Sequence, residues 1–372
     1  MVKVTGEFDV ELEDLLERSI DEVPQDAKLI SIKLKKEFQL SKSPLDALMR
    51  RSTKSVRAVD GVGLCLRMGK TLGFVGESGC GKTTLGRLLV RLINPTSGIM
   101  LYKPSKDILS KLEEEKLWSY KDFLNLGSLK GRELKPVRRE LSMIFQDPYS
   151  SLDPRMTCGD ILEEPLAIHN VKQEKRLSMI KSIMDEVGLS PTEDFISKEP
   201  HMLSGGHRQR LGIARALISK PSVVIADEPI SMLDVSLGSE ILKLLLKERV
   251  KRKLSYIFIT HDLAVASCIS DRLAVMYLGK IVEEGPVDRV IKKPLHPYTK
   301  ALMAAVPSPE PENRHRDWKL PIRGEVPPAS EIPNGCRFHP RCPYAIEKCK
   351  RIEPPEFHMI NECWVSCWLH ES

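Results

Sequence analysis

The sequence has no uninterrupted apolar run of the roughly 18–20 residues that a membrane-spanning helix needs. Residues 1–23 are rich in Asp and Glu, and they lack the basic segment followed by an apolar segment that marks a signal peptide. These two absences predict a chain that stays in the cytoplasm. Any work at a membrane is then expected to depend on partner proteins.

The sequence is also poor in aromatic residues and in excess charge of either sign. Aromatic side chains make up 5% of its 372 residues, and 57 Lys and Arg stand against 51 Asp and Glu, a net charge of +6. No basic run is interleaved with aromatics, as a nucleic-acid surface would require. The composition, 41% hydrophobic and 29% charged, is typical of a globular protein with a mixed, solvated surface. Nucleic acid is therefore not an expected partner.

Strand-like and helix-like apolar patterns alternate along the chain, which indicates an α/β core with a mainly parallel sheet. The expected strands are Ala27–Phe38, Val59–Met68, Thr71–Val75, Ser222–Ala226 and Tyr256–Thr260, followed by a hairpin of Arg272–Met276 with Ile281–Glu284. The expected helical stretches are Gly159–Leu189, Gly206–Leu217 and Gly238–Arg252. The strands are too far apart in sequence for one simple crossover, so an inserted helical subdomain is predicted. The charged segment Tyr102–Arg139 is interpreted as a surface insertion.

A glycine-rich phosphate loop follows the third expected strand. Gly76–Thr83 reads GESGCGKT and fits G-x-x-x-x-G-K-[ST], between the strand Thr71–Val75 and a helix-forming segment. Backbone N–H groups that converge at a helix N-terminus bind phosphate, and glycines allow the backbone angles this needs. Lys82 is expected to reach the β- and γ-phosphates, and Thr83 to bind Mg²⁺. The predicted nucleotide contacts are Gly76, Ser78, Gly79, Cys80, Gly81, Lys82, Thr83 and Thr84.

Two later strands end in residues suited to phosphate hydrolysis. Val223–Ala226 is followed by Asp227 and Glu228, and Tyr256–Thr260 is followed by His261. Asp227 is predicted to hold Mg²⁺ through water, and Glu228 to polarise the attacking water as general base. Adjacent acids or a lone His at a strand end are usually structural. The phosphate loop in the same chain favours the functional interpretation here.

The segment Leu203–Arg210, LSGGHRQR, is similar to the signature motif of ABC ATPases. Gln146 matches the Q-loop of that family, Ser231–Asp234 resembles its D-loop, and His261 resembles its switch histidine. The motifs follow one another in the family's order over about residues 30–285. The chain is thereby identified as a member of the ABC ATPases.

The resemblance implies a P-loop NTPase fold of the ABC type, with an inserted helical subdomain and an antiparallel β subdomain. Phe38 takes the position of the aromatic ring that stacks on adenine. The resemblance assigns catalysis to Glu228, His261 and Gln146, and Mg²⁺ binding to Thr83, Gln146 and Asp227. ATP and Mg²⁺ are the implied cofactors of this part of the chain.

The signature residues are expected to act on a second subunit. The resemblance implies that Ser204, Gly205, Gly206 and His207 close on the nucleotide held by another ATPase, in a head-to-tail dimer. Hydrolysis then removes the bridging γ-phosphate and releases the dimer. The chain departs from the family pattern in two places, since His207 replaces the usual Gln and Met232 replaces a smaller residue.

The C-terminal part resembles the oligopeptide and dipeptide importer ATPases, specifically the second ATPase of those systems. The resemblance of the tail is carried by Leu295–Leu302, Gly335–Phe338 and Arg341–Pro343, whereas the similarity to the second ATPase is carried by Val90–Gly98 and Gln146–Met156, outside the tail. It implies a subunit that powers peptide import from the cytoplasmic face of the cell membrane. Its implied partners are a paralogous ATPase, two transmembrane permeases and an extracytoplasmic solute-binding protein. The alternatives are an importer ATPase for nickel or oligosaccharide, and a soluble non-transport ABC ATPase.

Three domains are predicted from these features. They are an acidic N-terminal extension (1–27), an ABC ATPase domain (28–290) with its helical subdomain at about 147–217, and a C-terminal domain, the tail (291–372). The density of proline rises sharply after Pro294 and indicates the last boundary.

Five of the nine cysteines lie in the tail. In a chain without a leader such a cluster favours a metal site over disulfides. Spacing alone indicates four thiolates and a soft metal, and the absence of a C-x-x-C pair disfavours a zinc ribbon. Iron–sulfur, zinc and an unmetallated tail remain open on the residues. The family resemblance implies a [4Fe–4S] cluster on Cys336, Cys342, Cys349 and Cys367, with Cys363 as a spare.

Overall fold

The computed structural model describes residues 24–39, 55–114, 119–120, 122–305, 322, 324–359 and 362–371. Most of the expected acidic extension (1–27) lies outside these ranges. The strands are β1 (Ala27–Gln39), β2 (Ser55–Arg67), β3 (Thr71–Val75), β4 (Ser97–Tyr102), β5 (Ser119–Tyr120), β6 (Phe123–Asn125), β7 (Leu141–Ile144), β8 (Val223–Asp227), β9 (Ser255–Ile259), β10 (Arg272–Tyr277), β11 (Lys280–Pro286), β12 (Phe357–Met359) and β13 (Cys363–Val365). The helices are α1 (Lys82–Leu89), α2 (Lys106–Glu114), α3 (Leu134–Glu140), α4 (Pro148–Ser151), α5 (Cys158–Ile168), α6 (Gln173–Glu186), α7 (Gly205–Leu217), α8 (Val235–Arg252), α9 (Leu263–Ile269), α10 (Val287–Lys292), α11 (Pro297–Ala304) and α12 (Glu347–Arg351).

The main sheet has the strand order β12-β13-β11-β10-β3-β9-β8-β7. Its pairs from β10 through β7 are parallel, and every residue of β3, β8 and β9 is buried. Short apolar strands of this kind are typical of a parallel sheet covered on both faces. The predicted α/β core is therefore confirmed. The loops that follow β3, β7, β8 and β9 open at one edge of the sheet, where α/β proteins bind their ligands.

A second sheet, with the order β2-β1-β4-β6-β5, is antiparallel in each of its pairs. The Tyr102–Arg139 segment supplies β6 and α3 to this part of the molecule, and its Leu124, Leu126 and Val137 are buried in the largest apolar cluster. Its interpretation as a surface insertion is thus wrong. The charged residues of the segment alternate with apolar residues that are buried in the core.

Four helices, α4 to α7, lie between β7 and β8 in the chain. They pack through a second apolar cluster whose members include Ile161, Met184 and Leu211. Thr157 begins α5 with a capping box, because its hydroxyl accepts from the Asp160 N–H at 3.1 Å and its own N–H donates to the Asp160 carboxylate. This helical layer carries the signature motif on α7.

The predicted hairpin is present as β10 and β11. Its two turn residues, Leu278 and Gly279, have φ of 43° and 83°, as a two-residue turn matched to the twist of the strands requires. The tail continues this edge of the sheet, because β13 pairs with β11 and β12 pairs with β13. The rings of Tyr298 and Phe338 pack on Tyr277 with centroids 4.7 Å and 5.3 Å from it. The tail therefore shares its core with the hairpin.

Candidate nucleotide site

The phosphate loop runs from the buried end of β3 to the first turn of α1. Gly81 caps α1 with φ of 107°, and a Cβ built on it would lie 2.0 Å from the Ala58 carbonyl oxygen. A Cβ on Gly76 would lie 2.2 Å from the Met276 carbonyl oxygen. No side chain fits at either position, so the sequence needs glycine at both. The loop is thereby pressed against the start of β2 and the end of β10.

Lys82 is buried within this loop. Its Nζ donates to the carbonyl oxygens of Gly76 at 2.6 Å and Glu77 at 3.0 Å, and it lies 3.6 Å from the Cys80 Sγ. Burial raises the pKa of the Cys80 thiol, more than the Lys82 charge lowers it. Cys80 is accordingly a small, buried loop residue with a thiol of low reactivity, and its backbone N–H donates to the Glu77 carbonyl oxygen at 3.3 Å.

A hydroxyl and a carboxylate face each other beside the loop. Thr83 Oγ1 donates to Asp227 Oδ1 at 3.0 Å, which joins the start of α1 to the end of β8. Burial raises the pKa of Asp227, against the lowering effect of the Thr83 bond. Oxygen ligands of this type are what Mg²⁺ prefers. A buried carboxylate of raised pKa would also gain from a divalent cation, which stabilises its charged form.

Three side chains from three strand ends meet at one carboxylate oxygen. Gln146 Nε2 donates to Glu228 Oε2 at 3.2 Å, and His261 Nδ1 lies 3.1 Å from the same oxygen. Gln146 follows β7, Glu228 follows β8 and His261 follows β9. Because these strands are parallel neighbours, their ends bring together residues that are distant in sequence. The arrangement can orient a water molecule and accept its proton.

The backbone of Glu228 is in the left-handed region, with φ of 45°. This conformation is costly for a residue with a side chain. It is held by the Glu228 N–H, which donates to the Ile259 carbonyl oxygen at 2.9 Å, and by the Ser231 N–H, which donates to the Glu228 carbonyl oxygen at 3.2 Å. Strain of this kind is concentrated at functional sites, where surrounding contacts maintain it.

The signature residues form the N-terminus of α7. Ser204 caps the helix, with its Oγ accepting from the His207 N–H at 3.3 Å. Ser204 and Gly205 are exposed, and the His207 ring packs edge-on against Phe195 at a centroid distance of 5.0 Å. A 13-residue helix that begins with exposed N–H groups favours an anion at this end.

The predicted adenine-stacking residue Phe38 and the D-loop residue Met232 both have exposed side chains. Phe38, 40% exposed, is paired with Val56 on β2, two residues before the Ala58 carbonyl that abuts the phosphate loop. In the D-loop, Met232 is 62% exposed, and Asp234 caps α8 by accepting from the Leu237 N–H at 2.9 Å. Both exposed apolar side chains therefore face away from the core of the chain.

Comparison with known proteins decides the family. The ABC transporter family matches residues 59–231, and the oligopeptide/dipeptide transporter C-terminal region matches residues 282–349. The chain is 45% identical over 304 residues to the oligopeptide transport ATP-binding protein OppF of Salmonella typhimurium, covering 81% of this chain and 84% of that protein. It is 41% identical over 331 residues to the dipeptide transport ATP-binding protein DppF of Escherichia coli, covering 89% and 91%. The chain belongs to the oligopeptide/dipeptide family of ABC transporter ATP-binding proteins.

As a member of this family the chain is an ABC ATPase that hydrolyses ATP for transport. Its fold agrees with a solved structure described as a dimeric bacterial ABC transporter cassette, MJ0796, with 25% sequence identity and a TM-score of 0.56, covering 70% of this chain and 98% of that one. Both the recognition of the family and the ATPase activity expected from the sequence are confirmed. Across the described ranges, no helix is long and apolar enough to cross a bilayer.

The tail of this ABC ATPase brings four cysteines near one another. Burial raises the pKa of Cys336 to about 12, against the lowering effect of a hydrogen bond from the Phe338 backbone, and smaller raising contributions come from Cys349, Cys367 and Cys342. The Cys336 N–H also donates to the Cys349 carbonyl oxygen at 2.8 Å. Cys363 has other neighbours, since after burial it is Glu283 that raises its pKa.

These thiols are neighbours without forming a ready ligand set. Within the part of the chain that the structure describes, no group of three or more His, Cys, Asp or Glu side chains is arranged to hold a metal ion. The predicted [4Fe–4S] centre is therefore not supported by ligand geometry. The four cysteine side chains still have the donor chemistry of such a centre, which binds thiolates.

Sequence reasoning missed the contacts between the tail and the phosphate loop. Both Nη atoms of Arg341 donate to the Glu77 carboxylate, at 2.7 Å and 3.0 Å, and the Glu77 N–H donates to the Tyr298 hydroxyl at 2.8 Å. The segments that hold Tyr298 and Arg341 stood out only as marks of the subfamily. No local pattern could join them to a loop more than 200 residues away.

Proposed function

We propose that this chain binds and hydrolyses ATP to power the import of peptides, in a head-to-tail dimer with a second, paralogous ATPase. The observation that carries the proposal is the convergence of Gln146 and His261 on the Glu228 carboxylate, close to the Thr83–Asp227 pair. A carboxylate with two polar neighbours at the edge of a parallel sheet is suited to hold and deprotonate water. The family membership of the chain supports the same reaction.

The residues of the phosphate loop would bind the triphosphate. The predicted contacts include Ser78, Gly79 and Thr84, and the N–H groups at the start of α1 offer hydrogen bonds to the phosphate oxygens. Lys82 would exchange its two loop carbonyls for the β- and γ-phosphates. Phe38 would stack on adenine, since its ring is exposed on the strand pair that lies against the loop.

Hydrolysis would follow from the groups around Glu228. When bound, Mg²⁺ neutralises charge on the β- and γ-phosphate oxygens, and Thr83, Asp227 and Gln146 are the residues that would hold it. Glu228 takes a proton from water as the water oxygen bonds to the γ-phosphorus. The bond from that phosphorus to the bridging oxygen of ADP breaks, which yields ADP and phosphate. His261 would donate a hydrogen bond to the γ-phosphate.

The dimer is proposed because of the position of the signature. Ser204 and Gly205 at the start of α7 are exposed, and the first turn of this helix is suited to bind a phosphate that this chain does not itself supply. A second ATPase facing it would present its own bound nucleotide to Gly205, Gly206 and His207. The dimeric state of the related MJ0796 cassette agrees with this arrangement.

We propose that a cytoplasmic helix of a permease docks beside Gln146. A groove of about 720 Å³ opens there between the main sheet and the helical layer, with exposed apolar residues such as Leu92 and Ile168 on its walls. Basic residues outnumber acidic ones along its lining, which contains Glu164 beside Arg132, Lys135, Arg138 and Arg215. This charge favours a permease helix that carries acidic residues.

We also propose domain boundaries, further partners and a location for the chain. The domain boundaries are proposed at 27/28 and 290/291, with the helical subdomain at about 147–217. Two permeases and an extracytoplasmic solute-binding protein are the proposed further partners. The chain is proposed to work at the cytoplasmic face of the cell membrane, held there by the permeases.

Transport of peptide can be tested in liposomes. We expect the chain, assembled with its paralogous ATPase, two permeases and binding protein, to hydrolyse ATP several times faster when the binding protein carries peptide. Labelled di- and oligopeptides should accumulate inside the liposomes in an ATP-dependent manner. Nickel chelates and oligosaccharides serve as controls. Accumulation of one of these in place of peptide would contradict the proposed cargo and leave the ATPase assignment intact.

We also propose that Cys336, Cys342, Cys349 and Cys367 take up a [4Fe–4S] cluster that stabilises the tail. The support is that the electrostatic neighbours of the Cys336 and Cys367 thiols are other members of the set. A cluster would hold four chain segments that share only a small core of their own.

Anaerobically purified protein is expected to be brown, with visible absorbance and about four iron atoms per chain for a cluster of this type. Cys336→Ser should abolish the colour, whereas Cys363→Ser, a matched change at a thiol with other neighbours, should retain it. A colourless anaerobic preparation that contains zinc would refute the iron–sulfur proposal. So would equal colour in both variants.

A further inference from the structure

Two residues of the tail, Arg341 and Tyr298, bind Glu77 of the phosphate loop, one at its side chain and the other at its backbone N–H. Arg341 binds the Glu77 carboxylate through two parallel hydrogen bonds, of 2.7 Å and 3.0 Å. The Tyr298 hydroxyl accepts from the Glu77 backbone N–H at 2.8 Å. A guanidinium fork on a carboxylate is the strongest and most directional form of ion pair. Glu77 is therefore fixed in both position and orientation.

The two tail residues are themselves held firmly. The Arg341 side chain is 5% exposed, and its guanidinium lies about 6 Å from the rings of Tyr277 and Phe338. Tyr298 is fully buried and packs on the same two rings, with centroids 4.7 Å and 5.4 Å away. Packed rings of this kind restrict the rotamers of their neighbours. The contact to Glu77 thus comes from a rigid part of the tail.

The orientation of Glu77 also affects Lys82, the residue that is proposed to bind phosphate. With its N–H and its carboxylate both bound to the tail, Glu77 directs its carbonyl oxygen to the Lys82 Nζ, 3.0 Å away. The loop around it contains Gly76, Gly79 and Gly81, all with positive φ. Glycines have the largest conformational freedom to lose when such a loop is ordered. The hydrogen bonds to Glu77 order the loop in advance, so less conformational entropy is lost when the nucleotide binds.

We propose that Arg341 and Tyr298 are positioning residues of the phosphate loop, so that the affinity of this chain for ATP depends on a docked tail. They contact Glu77, and they act by holding the loop in its phosphate-binding conformation. The inference rests on the proposed function, since it needs the loop to be the ATP site.

The test is a double-mutant cycle between Arg341 and Glu77. Arg341→Met is expected to raise the Kd for ATP, and the KM for hydrolysis, by about tenfold, which corresponds to the loss of about 1.4 kcal/mol. The kcat at saturating ATP should stay within about twofold, because the catalytic groups keep their places. Glu77→Gln should have a similar effect, and the double variant should be no worse than either single one. Arg341→Lys, which retains a charge, should restore part of the affinity.

Lys348→Met is the matched control within the tail. Lys348 pairs with Glu371 and lies 3.7 Å from the Trp368 ring centroid, and it makes no contact with the phosphate loop. Tyr298→Phe provides a second, independent variant, which removes the acceptor of the Glu77 N–H and retains the ring. We expect it to weaken ATP binding, while thermal unfolding shows that the fold persists.

Two outcomes would overturn the inference. One is unchanged ATP affinity in both Arg341→Met and Tyr298→Phe. The other is additivity of Arg341→Met and Glu77→Gln, which would mean that the residues act separately. Failure of the proposed function has a different signature, because the unaltered chain would then bind no Mg²⁺-ATP at all.

Discussion

Replacing Glu228 with Gln is expected to lower ATP hydrolysis by at least about 100-fold, the lower limit of the range for loss of a general base. The amide keeps the size of the carboxylate and one oxygen near Gln146 and His261, but it cannot take a proton from water. ATP binding is expected to persist, because the phosphate loop is unchanged. The ATP-bound dimer should then accumulate. Phosphate release measures the first effect, and size-exclusion chromatography with ATP measures the second.

The control for this change is Glu174→Gln, which makes the same substitution at an exposed position on α6. It should hydrolyse ATP at the unaltered rate. Turnover of Glu228→Gln that equals the control would reject Glu228 as the base. The general base would then be another group near the Thr83–Asp227 pair.

Gly206→Asp is expected to abolish hydrolysis at the nucleotide held by the partner ATPase. Gly206 lies in the first turn of α7, where a phosphate is proposed to dock, and an aspartate there places two negative charges side by side. Like charges at an interface cost several kcal/mol, so a loss of about 100-fold or more is expected. The chain should still bind ATP on its own phosphate loop. Hydrolysis by the assembled pair and binding of a fluorescent nucleotide by the variant alone measure the two effects.

The control is Ser178→Asp, which adds the same charge at an exposed position of the helical layer. If Gly206→Asp and Ser178→Asp pairs hydrolyse ATP equally well, the head-to-tail arrangement is refuted. A loss of ATP binding by the isolated Gly206→Asp chain would instead point to a defect within one subunit. A built Cβ at Gly206 lies 3.2 Å and 3.3 Å from atoms of the Leu237 side chain, a tight contact that this side chain must relieve by a small shift. Thermal unfolding of the Gly206→Asp chain therefore checks its fold in parallel.

The sequence was most informative where the chemistry of phosphate restricts both residue type and spacing. Gly76 and Gly81 of the phosphate loop occupy positions that no side chain can fill. Asp227, Glu228 and His261 could be placed together because each ends an apolar strand, and parallel strands end at one edge. The tail cysteines illustrate the opposite case. Their count and spacing indicated a metal centre, but spacing cannot tell whether four thiols come within ligating distance.

The Tyr102–Arg139 segment shows where composition misleads. Its charge suggested a surface insertion, whereas Leu124, Leu126 and Val137 are core residues of the structure. Composition averages over a segment, but burial is decided residue by residue. The tertiary packing of β6 and α3 determined which of their side chains turned inward.

The sequence by itself determined the nucleotide chemistry, the order of the motifs and the parallel core, because each of these depends on short-range pattern and residue type. The tertiary structure alone decided that Glu228 adopts a positive φ, that Gln146 and His261 share one of its oxygens, and that the tail holds the phosphate loop. The last contact joins residues 264 positions apart. Its formation depends on the packing of the tail against the β10–β11 hairpin, and no local pattern encodes that packing.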